Sequence, residues 1–167
     1  QYMNGLGEDG GCDEGPGYWF GAGGTVFDAL NLLDNATAGK VNIYKEPFIQ
    51  KMASYIYKTH ISGSYFINVA DASPKMRPNG IMLFRFGKAI GDRNMMAFGS
   101  WAYHNFSSRS HSFSQYHRSR ALFDLFSIQE CENSKPDFKS ASDVWFSDVQ
   151  LMASRSKNGL FVASHGG

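Results

Sequence analysis

The sequence predicts a mainly α chain in which helices joined as hairpins give way to antiparallel strands. Three observations carry that expectation. Apolar residues recur at helical spacing through most of residues 16–131, and glycine and proline punctuate the recurrences. After residue 143 the apolar period drops to two.

A first helix is expected over 16–37. Pro16 suits its opening turn, Val26, Phe27, Leu30 and Leu33 share a face, and Gly39 suits its C-terminal cap. Gly21, Gly23 and Gly24 weaken its first turns by about 1 kcal/mol each relative to alanine. They are tolerated where another backbone or a ligand needs the space. Pro47 opens a second helix that is expected to end near Ile61, with Phe48, Ile49, Met52, Tyr55 and Ile56 on its apolar face. Asp28, Asp34, Lys51 and Lys58 are expected to face solvent. Residues 64–72 are short, β-branched and aromatic between Gly63 and Pro74, and are expected to be extended or irregular.

A third helix is expected over 78–90, with Ile81, Leu83, Phe84, Phe86 and Ile90 inward, and Gly91 stops it. Asp92 caps a fourth, 93–104, carrying Met95, Met96, Phe98, Trp101 and Ala102. A serine-rich loop covers 105–115, and a fifth helix covers 116–131 with Leu122, Phe123, Leu125, Phe126 and Ile128. Residues 132–142 read as a linker. Val149, Leu151 and Ala153 then alternate with Gln150, Met152 and Ser154, and Asn158-Gly159 is a hairpin signal. Two domains are expected, 1–135 and 136–167. A lone hairpin is marginal in water. The chain opens on Gln1 and closes on a polar tail directly after an apolar run at 160–163, so it reads as a portion of a longer protein.

With 167 residues the chain can bury a sizeable core, and its net charge of +1 makes no demand for nucleic acid. No apolar run of about 18 residues is long enough to span a membrane, and no leader pattern is visible. Cys12 and Cys131 make no disulfide framework. Charge is unevenly spread. Residues 1–14 hold Glu8, Asp9, Asp13 and Glu14 and no cation. Residues 93–123 hold no acid, but they hold Arg93, Arg109, Arg118 and Arg120 with His104, His111 and His117. Such asymmetry suits either a site for an anionic ligand or a solvated basic loop.

The acidic stretch carries the chemistry. In Asp9-Gly10-Gly11-Cys12-Asp13-Glu14-Gly15-Pro16-Gly17-Tyr18-Trp19-Phe20, two carboxylates sit in a glycine-rich loop and two aromatics follow on a helical turn. Acids that bind hydroxyls beside rings that stack on sugar faces suit a saccharide cleft. An acidic helix N-terminus followed by core aromatics gives the same pattern. Tyr65, Asn68 and Asp71 punctuate the next irregular segment. Each needs a partner if buried, or a ligand if it lines a cleft.

Three stretches together resemble the heparinase II/III-like polysaccharide lyases: residues 8–19, Tyr65-Phe66-Ile67-Asn68-Val69-Ala70-Asp71-Ala72, and the segment from Asp143-Val144-Trp145-Phe146 through Phe161-Val162-Ala163-Ser164-His165-Gly166-Gly167. The resemblance implies an incomplete (α/α) toroid followed by the first strands of a β-sandwich domain, in a periplasmic or secreted protein. It implies β-elimination on an acidic, uronate-containing polysaccharide or oligosaccharide. A base removes the C5 proton, a neutraliser offsets the C6 carboxylate, and an acid protonates the leaving oxygen.

Carried onto this chain, Tyr65 and Glu14 become the catalytic residues, Tyr65 as the catalytic tyrosine and Glu14 at the family's acidic position. Asp13, Tyr18, Trp19, Asn68 and Asp71 become substrate-binding residues. Where the family often places asparagine or histidine as neutraliser, this chain has Gly11 and Cys12, and Asn68 is a substitute. His165 receives no role. No cofactor is implied within these residues; a divalent metal, zinc or calcium, belongs to the β-sandwich beyond Gly167. Two other classes stay open. One is a glycoside hydrolase on an α/α barrel, with Asp13, Glu14 or Asp71 as paired carboxyls. The other is a carbohydrate-binding module without chemistry.

Overall fold

The computed structural model describes residues 7–106 and 118–166. Among them six helices and two small antiparallel sheets form a mixed, mainly helical chain: α1 Pro16–Ala36, α2 Pro47–Lys58, β1 His60–Ser62, β2 Tyr65–Phe66, α3 Gly80–Ile90, α4 Arg93–Phe106, α5 Arg118–Leu125, α6 Ile128–Asn133, β3 Asp143–Phe146, β4 Leu151–Arg155 and β5 Phe161–His165. No helix among the described residues is long and apolar enough to cross a membrane. The chain packs as two units, one of Gln1–Met76 with Ser140–Gly167 and one of Arg77–Lys139.

In the first unit, α1 begins at Pro16 as expected, and the Gly39 N–H closes its end on the Asp34 carbonyl at 2.8 Å. Its burial stops at Phe27, so Leu33, expected inward, is 40% exposed. Ile49, Met52, Tyr55 and Ile56 of α2 are buried as their spacing predicts. The helix ends at Lys58 instead of Ile61. The Thr59 hydroxyl donates back to the carbonyls of Tyr55 and Ile56, and its own carbonyl accepts the Ile67 N–H at 3.0 Å. That long-range bond turns His60–Ser62 into a strand paired with Tyr65–Phe66. The remainder of 64–72 is irregular, as expected.

The second sheet runs β3-β4-β5, antiparallel throughout. Leu151 and Ala153 are buried while Gln150 and Met152 are exposed, which is the expected alternation. A five-residue loop with Gly159 at φ 90° joins β4 to β5. Tyr55 packs edge-on against Phe146 with ring centroids 4.9 Å apart, which ties α2 to this sheet. Lys58 is half-buried, with its ammonium 5.9 Å from the Phe146 ring.

In the second unit α3 and α4 form an antiparallel helical hairpin. Asn79 caps α3 by accepting the Met82 N–H, Gly91 closes it in the left-handed region, and the Asp92 carboxylate caps α4 through the N–H groups of Asn94 and Met95. The two backbones touch. A Cβ at Gly99 would collide with the Phe84 backbone nitrogen, and one at Gly80 with that of Tyr103. Ile81, Phe84 and Cys131 form a buried cluster, with Met96, Tyr103 and Ile128 against it.

The expected helix over 116–131 is two helices. The Ser127 N–H turns back to the Asp124 carbonyl at 2.9 Å, and α6 starts afresh at Ile128. Leu122, Leu125 and Phe126 are exposed, Phe126 to 82%. Helical spacing alone therefore did not place them inside.

Candidate functional site

The acidic loop is seated by its backbone. Gly10 lies against the α2 backbone at Lys51 and Met52, with φ 80° and no room for a Cβ. Gly15, at φ 84°, lies against the turn over 69–72: a Cβ there would sit 2.5 Å from the Val69 carbonyl oxygen and 2.8 Å from the Ala72 Cβ. That turn is closed by the Ala72 N–H on the Val69 carbonyl at 3.1 Å, and it holds Ala70 at φ 49°, unusual for a residue with a Cβ. The loop is also held from beneath. The Cys12 carbonyl accepts the Gly15 N–H at 2.9 Å and the buried Tyr55 hydroxyl at 3.1 Å. On its outer side Asp9 and Asp148 clasp each other. The Asp148 N–H donates to Asp9 Oδ2 at 2.8 Å and the Asp9 N–H donates to Asp148 Oδ2 at 3.2 Å. Lys51 Nζ donates to the Glu8 carbonyl at 3.1 Å.

These contacts bring together most of the expected site residues. Asp13, Glu14 and Tyr18 are exposed on the loop and the first turn of α1, and Asn68 and Asp71 are exposed on the segment that Gly15 abuts. Asp13 Oδ1 accepts the Glu14 N–H at 3.0 Å. Tyr18 is 50% exposed and Tyr65 46%. Tyr65 stands on β2, one short segment ahead of the turn, and its ring carries the Lys75 ammonium 5.0 Å from the centroid.

Trp19 is a correction. Expected to line a sugar subsite, it is 1% exposed, and its indole N–H donates to the Met52 carbonyl at 2.8 Å. Gly23 makes the room: a Cβ there would lie 2.8 Å from the indole. The space opened by that glycine holds the chain's own side chain and not a ligand. The basic stretch, expected to be either an anion site or a solvated loop, is divided: Arg93 and His104 are exposed, whereas Arg120 is 4% exposed and its charge is one of the influences that pull back the Asp124 carboxyl, which burial raises. Arg109, His111 and His117 lie outside the described residues.

Burial favours the protonated forms of the titratable groups beneath the loop. Burial, helped by the neighbouring Cys12, Asp13 and Asp9, pushes the Tyr55 hydroxyl above the ordinary phenol range, so it remains a donor to the loop. Burial likewise raises the Cys12 thiol; the N–H groups of Glu14 and Gly15 pull it back, while the charges of Asp13 and Glu14 raise it further. Cys12 and Cys131 are both free and buried. No cluster of three histidine, cysteine, aspartate or glutamate side chains suited to a metal occurs among the described residues.

Sequence reasoning missed Tyr55 as the loop's support, although it placed that residue correctly on the buried face of α2. It also missed Lys75, which no periodicity marks. No protein-family model matches the chain, and no curated protein matches it.

Proposed function

We propose that this chain belongs to a polysaccharide lyase that cleaves a uronate-containing polymer by β-elimination on an (α/α) toroid, as its resemblance to the heparinase II/III-like lyases implies. The observation that best supports the reading is the seat of the acidic loop on the 69–72 turn through Gly15. It joins the two stretches that carry Glu14, Asp13, Tyr18, Asn68 and Asp71. Tyr65 leads into that turn with its ring open to solvent.

In this mechanism the Tyr65 phenolate takes the C5 proton of the uronate. The electron pair left on C5 forms the C4–C5 double bond as the C4–O bond breaks. The leaving glycosidic oxygen then receives the proton from the Tyr65 hydroxyl. Glu14 and Asp13 accept hydrogen bonds from sugar hydroxyls, and Tyr18 offers a stacking face at the rim.

The test is ultraviolet absorbance of the unsaturated uronyl product from heparin-like and alginate-like polymers, using the whole protein that contains this chain. Tyr65→Phe is expected to lower the rate by about 10²–10⁴-fold, the usual range for loss of a positioned acid–base group. Absence of product across the panel overturns the reading. One observation favours an alternative. Asp71 sits on the turn against the acidic loop, which makes it a second carboxyl for a hydrolase. A hydrolase tolerates Tyr65→Phe and yields saturated products.

A further inference from the structure

Resting on the lyase function proposed above, we infer that Lys75 is the group that binds and neutralises the substrate carboxylate beside Tyr65. The chemistry sets the requirement. The proton leaves C5, and the carboxylate hangs on the adjoining carbon, so the neutraliser must stand within a few ångströms of the base. At the positions before Glu14, Gly11 and Cys12 offer neither an amide nor an imidazole. Asn68 is neutral.

Lys75 meets the requirement through the backbone and not through a chance side-chain contact. Tyr65 and Lys75 are antiparallel partners in an isolated bridge. The Phe66 N–H donates to the Pro74 carbonyl at 3.0 Å, and the Met76 N–H donates to the Ser64 carbonyl at 2.9 Å. These two bonds flank the pair, which makes it the closely spaced, non-hydrogen-bonded kind whose side chains leave from the same face. The Lys75 N–H also donates to the Ser73 hydroxyl at 3.3 Å. The outcome is an ammonium 5.0 Å from the Tyr65 ring centroid, with both residues exposed. An anionic sugar laid across the phenol meets that ammonium with its carboxylate.

The experiment compares binding of a uronate oligosaccharide with that of its neutral methyl ester by titration calorimetry, in the whole protein and in its Lys75→Gln and Lys75→Arg variants. The unmodified protein is expected to prefer the acid by about tenfold, the equivalent of one charge-assisted hydrogen bond. The preference is expected to vanish in Lys75→Gln and to survive in Lys75→Arg, whose guanidinium keeps the charge. A preference kept in full by Lys75→Gln, or absent from the unmodified protein, overturns the inference. Cleavage is read separately. If the acid preference is lost in Lys75→Gln while no protein makes unsaturated product, the anion subsite stands and the lyase chemistry falls. If product forms and Lys75→Gln keeps the preference, the lyase stands and Lys75 falls.

Discussion

Two pairings, one in each unit, set a cation against an aromatic ring with opposite consequences. Lys75 lies 5.0 Å from the Tyr65 ring centroid in the open, while Arg85 lies 5.2 Å from that of Phe123 and bonds Asp124 at 2.8 Å with both charges largely withdrawn from water. For Asp124, burial raises the carboxyl above its ordinary range, and Arg85, then Asn79 and Arg120, pull it back. A withdrawn pair of this kind does little for net stability but is costly to break, because the survivor is left charged and unsolvated. The open pair costs little to break and remains available to a ligand. The Arg85–Asp124 pair is therefore bound into the packing of its unit, while the Lys75–Tyr65 pair lies open on the surface of the other.

The comparison breaks first at Asp124. Asp124→Ala removes the buried carboxylate that Arg85 bonds and is expected to destabilise by about 3–5 kcal/mol in urea unfolding; a loss below about 1 kcal/mol would make the pair no different from a surface one. Next is Gly15→Ala. It forces a Cβ into the left-handed region and against Val69, at an expected cost of about 2–3 kcal/mol, and should loosen the loop in hydrogen exchange. Unchanged protection at residues 10–15 would show that the seat is not what holds the acids.

A pH effect comes third. Burial lowers the His60 pKa, the bond it donates to the Gly63 carbonyl raises it, and the charge of Arg155 lowers it. The native state therefore keeps His60 neutral while the unfolded chain binds a proton. Stability is full above the ordinary histidine value of about 6.5 and falls as pH drops below it, by at most about 1.4 kcal/mol per pH unit. His60→Gln should flatten that slope between pH 7 and 5; an unaltered slope assigns the effect elsewhere. Smallest is Lys75→Gln, expected to move stability by no more than about 0.5 kcal/mol while it changes acid-over-ester binding. A large stability loss would place Lys75 with Arg85 and erase the contrast.

What could be read in the chain follows the range over which each signal acts. Pro16, the Gly91-Asp92 junction and Asn158-Gly159 are local instructions, and each acts as its residues dictate. The end of α2 is not local. His60 and Ile61 continue the helical rhythm until the Thr59 carbonyl is claimed by Ile67, across a turn.

For the site, the acids were legible because glycines surround them, but the two aromatics were not told apart. A clue was present: Trp19 has Gly23 one turn on, an empty slot for its ring, whereas Tyr18 has Ala22. The pairing of Tyr65 with Lys75 crosses a proline-containing loop and leaves no periodic trace.

The Gly15 contact with the Val69 carbonyl joins main chain to main chain and involves none of the side chains at 13, 14, 68 or 71. Their identities can therefore drift while their Cα positions stay put. A surface anchored in this way can be re-lettered without being rebuilt, so long as residue 15 keeps no side chain.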